Sequence, residues 1–289
     1  MAELEFNDEG LNVWSDDDSF AVTRERIAEY AAATNDPIPA HLAGDHGSPV
    51  FAIVPVFDSM IDPAVEVVPL EIFGRGLHGE QDFHFHRLIE PGETLVSHAK
   101  MVGYEGLSNG TRAVVYVECR GEDGELVNHQ YVTMFFRGAD ASNGRTVGEL
   151  GPGHKFDEDV RAQAPVAKVV QHVDDDQTFR YAPASGDPVP LHLDEEVAKD
   201  AGLPGIIAHG LCTMAFASWG LLTELADGDT SRLKRLAVRF SKPVLPGQDI
   251  ETTIWQLGTD NGVTSYQFET RVGDDVVLKD GRAEIADSQ

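Results

Sequence analysis

The chain has 289 residues, with 22 Lys and Arg against 49 Asp and Glu, for a formal charge of −27. That excess of acid excludes general affinity for nucleic acid or anionic membranes, because phosphate contacts need clustered cations. The length leaves room for two domains of ordinary size, and the two cysteines, Cys119 and Cys212, lack CxxC spacing, which points to a reducing, cytoplasmic setting without a structural disulfide.

The N-terminal MAELEFNDEG lacks the basic and apolar regions of a signal peptide. The first marked feature is residues 30–42, YAAATNDPIPAHL, which place Asp36 and His41 five residues apart on a proline-bearing path. An apolar stretch over 50–60 predicts a short helix, interrupted by Pro55. β-Branched and aromatic content then predicts strands over 81–89, 94–104, 112–119 and 128–137, separated by glycine-bearing turns such as Ser108-Asn109-Gly110. His84 and His86 alternate on the first of these and share a face. With no third ligand at zinc-like spacing they read as surface or interface histidines, and no metal is expected. Residues 138–153, GADASNGRTVGELGPG, carry no apolar period and read as a linker, dividing the chain into domains at 1–140 and 156–289.

Residues 181–193, YAPASGDPVPLHL, repeat the first phrase at an offset of 151, with eight of thirteen positions identical. Residues 85–92 (FHRLIEPG) and 240–247 (FSKPVLPG) match at an offset of 155, so the chain is a tandem duplication whose halves should share one fold. Residues 206–226 are apolar on nearly every face and predict a helix that must be enclosed. No Asp, Glu, Lys or Arg occurs from 201 to 223, but Pro204, several glycines and the missing basic flank favour a core helix over a membrane span. Strands are expected over 233–242, 249–257, 264–272 and 276–285. Each half is then a buried helix followed by about four antiparallel strands, an α+β arrangement with the sheet wrapped around the helix.

In the second phrase Asp187 and His192 are separated by two prolines, which fix an irregular path. A rigid bend that turns an acid and an imidazole towards one pocket suits general acid/base catalysis. The same spacing also fits a stiff loop whose Asp caps a turn and whose His is incidental. Asp194 reads as the N-cap of a short helix ending at Gly202, rather than as a third catalytic carboxylate. His209-Gly210 opens the apolar helix, where unpaired N–H groups at the positive end of the dipole can receive a developing oxyanion. Alternatively, Gly210 only permits close helix–sheet packing. Lys234, Arg235, Arg239 and Lys242 form the densest basic cluster, and Arg180 lies beside the motif; each is a candidate for coenzyme phosphates or a solvated strand residue paired with acids.

Taken together, Tyr181, Ser185-Gly186-Asp187, Pro190-Leu191-His192-Leu193-Asp194, Ala201-Gly202 and His209-Gly210-Leu211 resemble the signature of the MaoC-like dehydratases, the (R)-specific enoyl-CoA hydratase family. Leu77-His78-Gly79-Glu80-Gln81 is similar to a segment of its two-domain members. The resemblance implies a double hot dog, each repeat a long helix wrapped by an antiparallel sheet, the two packing as a pseudo-dimer. It implies hydration of a trans-2-enoyl thioester, carried by CoA or acyl carrier protein, to the (R)-3-hydroxyacyl product, without a cofactor. By position Asp187 and His192 would be the catalytic dyad and Gly210 the oxyanion donor. Val189, His209, Ser218, Arg180 and Arg239 would be the substrate contacts. The family often has Asn where this chain has Val189, and the first copy has Ile38 there. The first repeat would house the acyl tail, with Asp36 and His41 vestigial because the segment after them, His46-Gly47-Ser48-Pro49-Val50-Phe51, is shortened and has no His-Gly at the matching helix start. A non-catalytic acyl-thioester-binding protein is the alternative, and a thioesterase a more distant one. Neither nucleic acid nor membrane is an expected partner, and a homodimer is the candidate assembly.

Overall fold

The computed structural model describes residues 5–139 and 144–288. The chain divides into two compact units, and neither is contiguous in sequence.

The first unit comprises Met1–Ala21, Pro55–His86 and Thr94–Gly153. Its strands are β1 (Asp18–Ala21), β2 (Gly76–Phe85), β3 (Thr94–Leu107), β4 (Gly110–Gly121), β5 (Leu126–Arg137) and β6 (Thr146–Gly148). Five of them lie in the antiparallel order β1-β3-β4-β5-β2. The stretch read as a linker contains β6, which pairs with β3, while residues 140–143 fall outside the described residues. Composition hid this strand because glycine, not apolar alternation, makes it possible. A Cβ on Gly103 would meet the Glu149 carbonyl oxygen at 2.4 Å, and Gly148 adopts φ +70° with the Val102 carbonyl oxygen 2.2 Å from its would-be Cβ. The predicted first-half helix is a chain of short turns: a 3₁₀ segment Pro49–Val56, most of which belongs to the second unit, then in this one a 3₁₀ turn Asp58–Met60 and helices Ile61–Val67 and Leu70–Phe73. Pro49, Pro55, Pro63 and Pro69 interrupt the ladder of backbone bonds, so no long central helix forms here.

The second unit comprises Val22–Val54, Arg87–Glu93 and His154–Gln289. Its antiparallel sheet has the order β8-β11-β10-β9-β7, from β7 (Ala167–His172), β8 (Leu233–Phe240), β9 (Asp249–Asp260), β10 (Val263–Val272) and β11 (Asp275–Ala286). The sheet wraps the long helix Gly210–Leu225, whose residues are buried on most sides, as an unbroken apolar segment requires. This is the hot-dog arrangement. β7 was not anticipated. It closes over the helix where Gly220 would place a Cβ 3.4 Å from Val169, and Gln171 Nε2 donates to the Phe216 carbonyl. The helix begins four residues later than its apolar stretch, because the Ala208 N–H donates to the Val244 carbonyl instead. No helix among the described residues is long and apolar enough to cross a membrane.

The first phrase packs within this second unit, whereas the linear division assigned it to the first domain. Helices Arg24–Ala33 and Gln177–Ser185 lie against each other. The Tyr30 and Tyr181 hydroxyls meet at 3.1 Å in a fully buried pair. Gln177 Nε2 donates to the Ala33 carbonyl, and Trp219 Nε1 to that of Thr34.

Candidate active site

The second phrase is shaped by local chemistry. Gly186, at φ +79°, ends the helix Gln177–Ser185 in the left-handed conformation. Asp187 Oδ1 then accepts the Val189 N–H at 3.2 Å, a side-chain-closed turn that leaves the other carboxylate oxygen to the site. Pro190–His192 forms a single 3₁₀ turn, and the His192 N–H donates to the Val189 carbonyl. Asp194 caps the helix Glu195–Asp200 by accepting from Glu196 and Val197, so its role is structural.

His192 Nδ1 lies 2.8 Å from the Ile207 carbonyl, to which it must donate, so in the neutral ring Nε2 carries the lone pair. Burial lowers the His192 pKa, against the raising effects of this bond and of Asp187. The result is a neutral imidazole base at neutral pH. His209 Nε2 lies 3.1 Å from the Asp187 carbonyl, and its ring stacks on His192 with centroids 3.8 Å apart and planes at 25°. Burial, and then His192, push the His209 pKa down to about 3. One side-chain ligand atom each from Asp187, His192 and His209 lies within 4.8 Å of the others. That distance would admit an ion. However, one nitrogen of each ring is already engaged, His192 Nδ1 with the Ile207 carbonyl and His209 Nε2 with the Asp187 carbonyl.

Gly210 follows His209 directly, so the first N–H groups of the long helix start at this site. A Cβ there would stand 3.0 Å from the Phe240 ring, so the glycine also serves close packing against β8. Val189 is 42% exposed and contributes only its backbone to the turn. Ser218 is buried and its hydroxyl donates back to the Ala215 carbonyl at 2.8 Å within the helix.

Arg180 is committed to protein partners. It bonds Asp176, Asp174, Asn35 and the Ala32 carbonyl at 2.5–3.1 Å, which ties the two phrases together. The basic cluster is dispersed as well. Lys242 pairs with Asp275, Arg235 with Glu284 at 3.6 Å, and Lys234 reaches the Ser231 carbonyl. Arg239 is exposed on β8 opposite Lys279, one residue from the Phe240 ring that touches the helix start.

The first-phrase pair sits deeper. Asp36 is 3% exposed and His41 fully buried. His41 Nδ1 meets Asp36 Oδ2 at 2.7 Å, and its Nε2 meets Thr230 Oγ1 at 2.7 Å. Nothing in the spacing pointed to Thr230. In the first unit, His129 joins the two predicted histidines: His84 stacks on it at 4.5 Å and 10°, and His86 Nε2 lies 3.0 Å from its Nδ1. Burial, then His84 and His86, hold His129 at about 4. Cross-strand pairing of β2 with β5 makes this cluster, so the pattern of one strand could not reveal it.

A MaoC-like domain matches residues 157–277, and a FAS1-like dehydratase domain region matches residues 10–130. The chain is 33% identical over 238 residues to a probable enoyl-CoA hydratase 2 of Dictyostelium discoideum, covering 81% of this chain and 76% of that protein. It is 32% identical over 216 residues to the 3-hydroxyacyl-thioester dehydratase Y of Mycobacterium tuberculosis, covering 72% of each. Among solved structures, a MaoC-like dehydratase from Phytophthora capsici shares the fold at a TM-score of 0.85 and 24% identity, over 98% of this chain and 99% of that one.

Proposed function

Because this chain belongs to the MaoC-like dehydratase family, we propose that it adds water reversibly to a trans-2-enoyl thioester, giving the (R)-3-hydroxyacyl thioester. The observation that carries this reading is the state of His192. Its Nδ1–H is held by the Ile207 carbonyl, so Nε2 is the base, and Asp187 stands close enough to share a water with it. Nε2 takes a proton from that water as the oxygen attacks C3. The C2–C3 π electrons move onto the thioester carbonyl, where the Gly210 N–H receives the oxyanion. The imidazolium, stabilised by the Asp187 carboxylate, returns the proton to C2. One water is consumed and every proton is accounted for.

Arg239, an exposed cation on β8, is the residue we assign to the phosphates of the carrier, CoA or acyl carrier protein. The first unit is left to hold the acyl tail, the Asp36–His41 pair of the second unit being closed to chemistry by Thr230. Buried free thiols at Cys119 and Cys212 suit a reducing compartment such as the cytoplasm. The test is loss of enoyl absorbance from crotonyl-CoA, with chiral assignment of the product. Wild-type turnover that survives Asp187→Asn would remove the proposal.

A second reading, thioester binding without turnover, is favoured by the apolar side chain at Val189 where the family often places an amide. It predicts acyl-CoA binding with no change at the enoyl band, and hydration appearing on Val189→Asn.

A further inference from the structure

We propose that His209 is a positioning residue for the hydration: its ring sets the plane of His192, while its Nε2–H anchors the backbone of Asp187. The inference rests on the function proposed above. His209 is 2% exposed and offers no polar atom to a substrate. Nε2 is engaged with the Asp187 carbonyl at 3.1 Å, and Nδ1 is buried without a hydrogen-bond partner. One ring face lies on His192 at 3.8 Å. The Tyr181 ring lies 4.8 Å from that of His209 at a tilt of 50°, and the Tyr181 hydroxyl is braced by that of Tyr30. A single imidazole therefore touches both members of the dyad and is backed by a buried aromatic pair.

Neutrality is part of the role. Protonating Nδ1 would bury an unpartnered N–H together with a charge, a costly combination. The groups facing His209 are His192 and Asp187 on the motif loop, Tyr181 on its helix, and Tyr30 and Cys212 behind it. Burial raises the pKa of both tyrosines and of Cys212, so these three stay uncharged. His209 thus remains in the Nε2–H form while His192 cycles between base and acid. An uncharged plate beside His192 lets that ring take up a proton without a second cation against it. It also removes rotational freedom that would blur the approach of Nε2 to water, where small misplacements are costly.

Two substitutions separate the ring from the donor. His209→Phe keeps the plate and loses the bond to Asp187. His209→Gln places an amide N–H near the Nε2 position and loses the plate. With crotonyl-CoA as substrate, His209→Phe should lower kcat by about tenfold or more with KM within about threefold, as a positioning loss does. His209→Gln should recover part of kcat but move the acidic limb of kcat/KM to higher pH, because His192 loses the cover that depresses its pKa. Folded variants that both keep the wild-type kcat and the wild-type limb would overturn the assignment. A readout independent of activity uses wild-type protein alone: nitrogen-15 spectra of the imidazoles. They should show His209 as the Nε2–H tautomer with no titration between about pH 8 and 5. A His209 that titrates near its ordinary value, or appears as the other tautomer, refutes the proposal whether or not the chain hydrates crotonyl-CoA. Failure of wild-type turnover with the expected spectra would count against the function and not against the anchoring geometry.

Discussion

The two copies of the thirteen-residue phrase fold alike locally and end in opposite states. In each, the Asp side chain closes a turn onto the residue two positions on: Asp36 onto Ile38 at 2.9 Å, Asp187 onto Val189 at 3.2 Å. In the first, the imidazole is then bonded on both sides, to Asp36 and to Thr230, with all three groups buried. In the second, Nδ1 turns to the Ile207 carbonyl, and Asp187 and His192 stay partly accessible. An acid and a His on a braced bend are therefore not yet a catalytic dyad. What matters is whether the nitrogen lone pair is left open. Thr230 takes up that position in the first copy.

Several measurements would break or sharpen this contrast. The largest effect expected is on chemistry: Asp187→Asn should cut enoyl-CoA hydration by about 10²–10⁴-fold with little change in the unfolding midpoint. Asp36→Asn should do the reverse, leaving kcat within about twofold in the folded protein. The analogous His41→Ala, which strands a buried carboxylate, should cost about 3–5 kcal/mol in denaturant unfolding. Equal activity losses from the two Asp substitutions would erase the distinction between the copies. Thr230→Val should cost about 1–3 kcal/mol by leaving His41 Nε2 unpartnered, again without loss of kcat. The pH profile follows from the working copy. Since burial lowers the His192 pKa and catalysis needs its neutral form, kcat/KM should hold as pH falls through 6.5 and decline only below it. Asp194→Ala should cost about 1 kcal/mol, a capping loss confined to the second copy, because the first has Ala43 at that position.

The sequence reading reached most of the scaffold. The eight strands it predicted coincide with β2–β5 and β8–β11 to within a few residues, since alternation and turn chemistry are local signals. β1, β6 and β7 have no counterpart among the predicted strands; β1 is only four residues long and is defined by its pairing with β3. β6 depends on two glycines that let backbones approach, and β7 is a short edge strand recognisable only through its contact with the long helix. At the site, the Asp–His spacing, the helix start and the Asp194 cap were legible. The engagement of Arg180 with Asn35 and the stacking of His209 on His192 were not, because each is set by a residue that only the folded chain brings alongside.

From the order of its residues alone, this protein is a duplicated α+β chain carrying two acid–imidazole bends and one uninterrupted apolar helix. Proline φ angles, side-chain-closed turns and hydrophobic runs act over a few residues, so they can be read directly. Which bend keeps an open nitrogen was decided only in three dimensions, by a carbonyl 15 residues from His192 and a hydroxyl 189 residues from His41. Burial and proton position depend on whatever the folded chain brings alongside, and no local pattern records that.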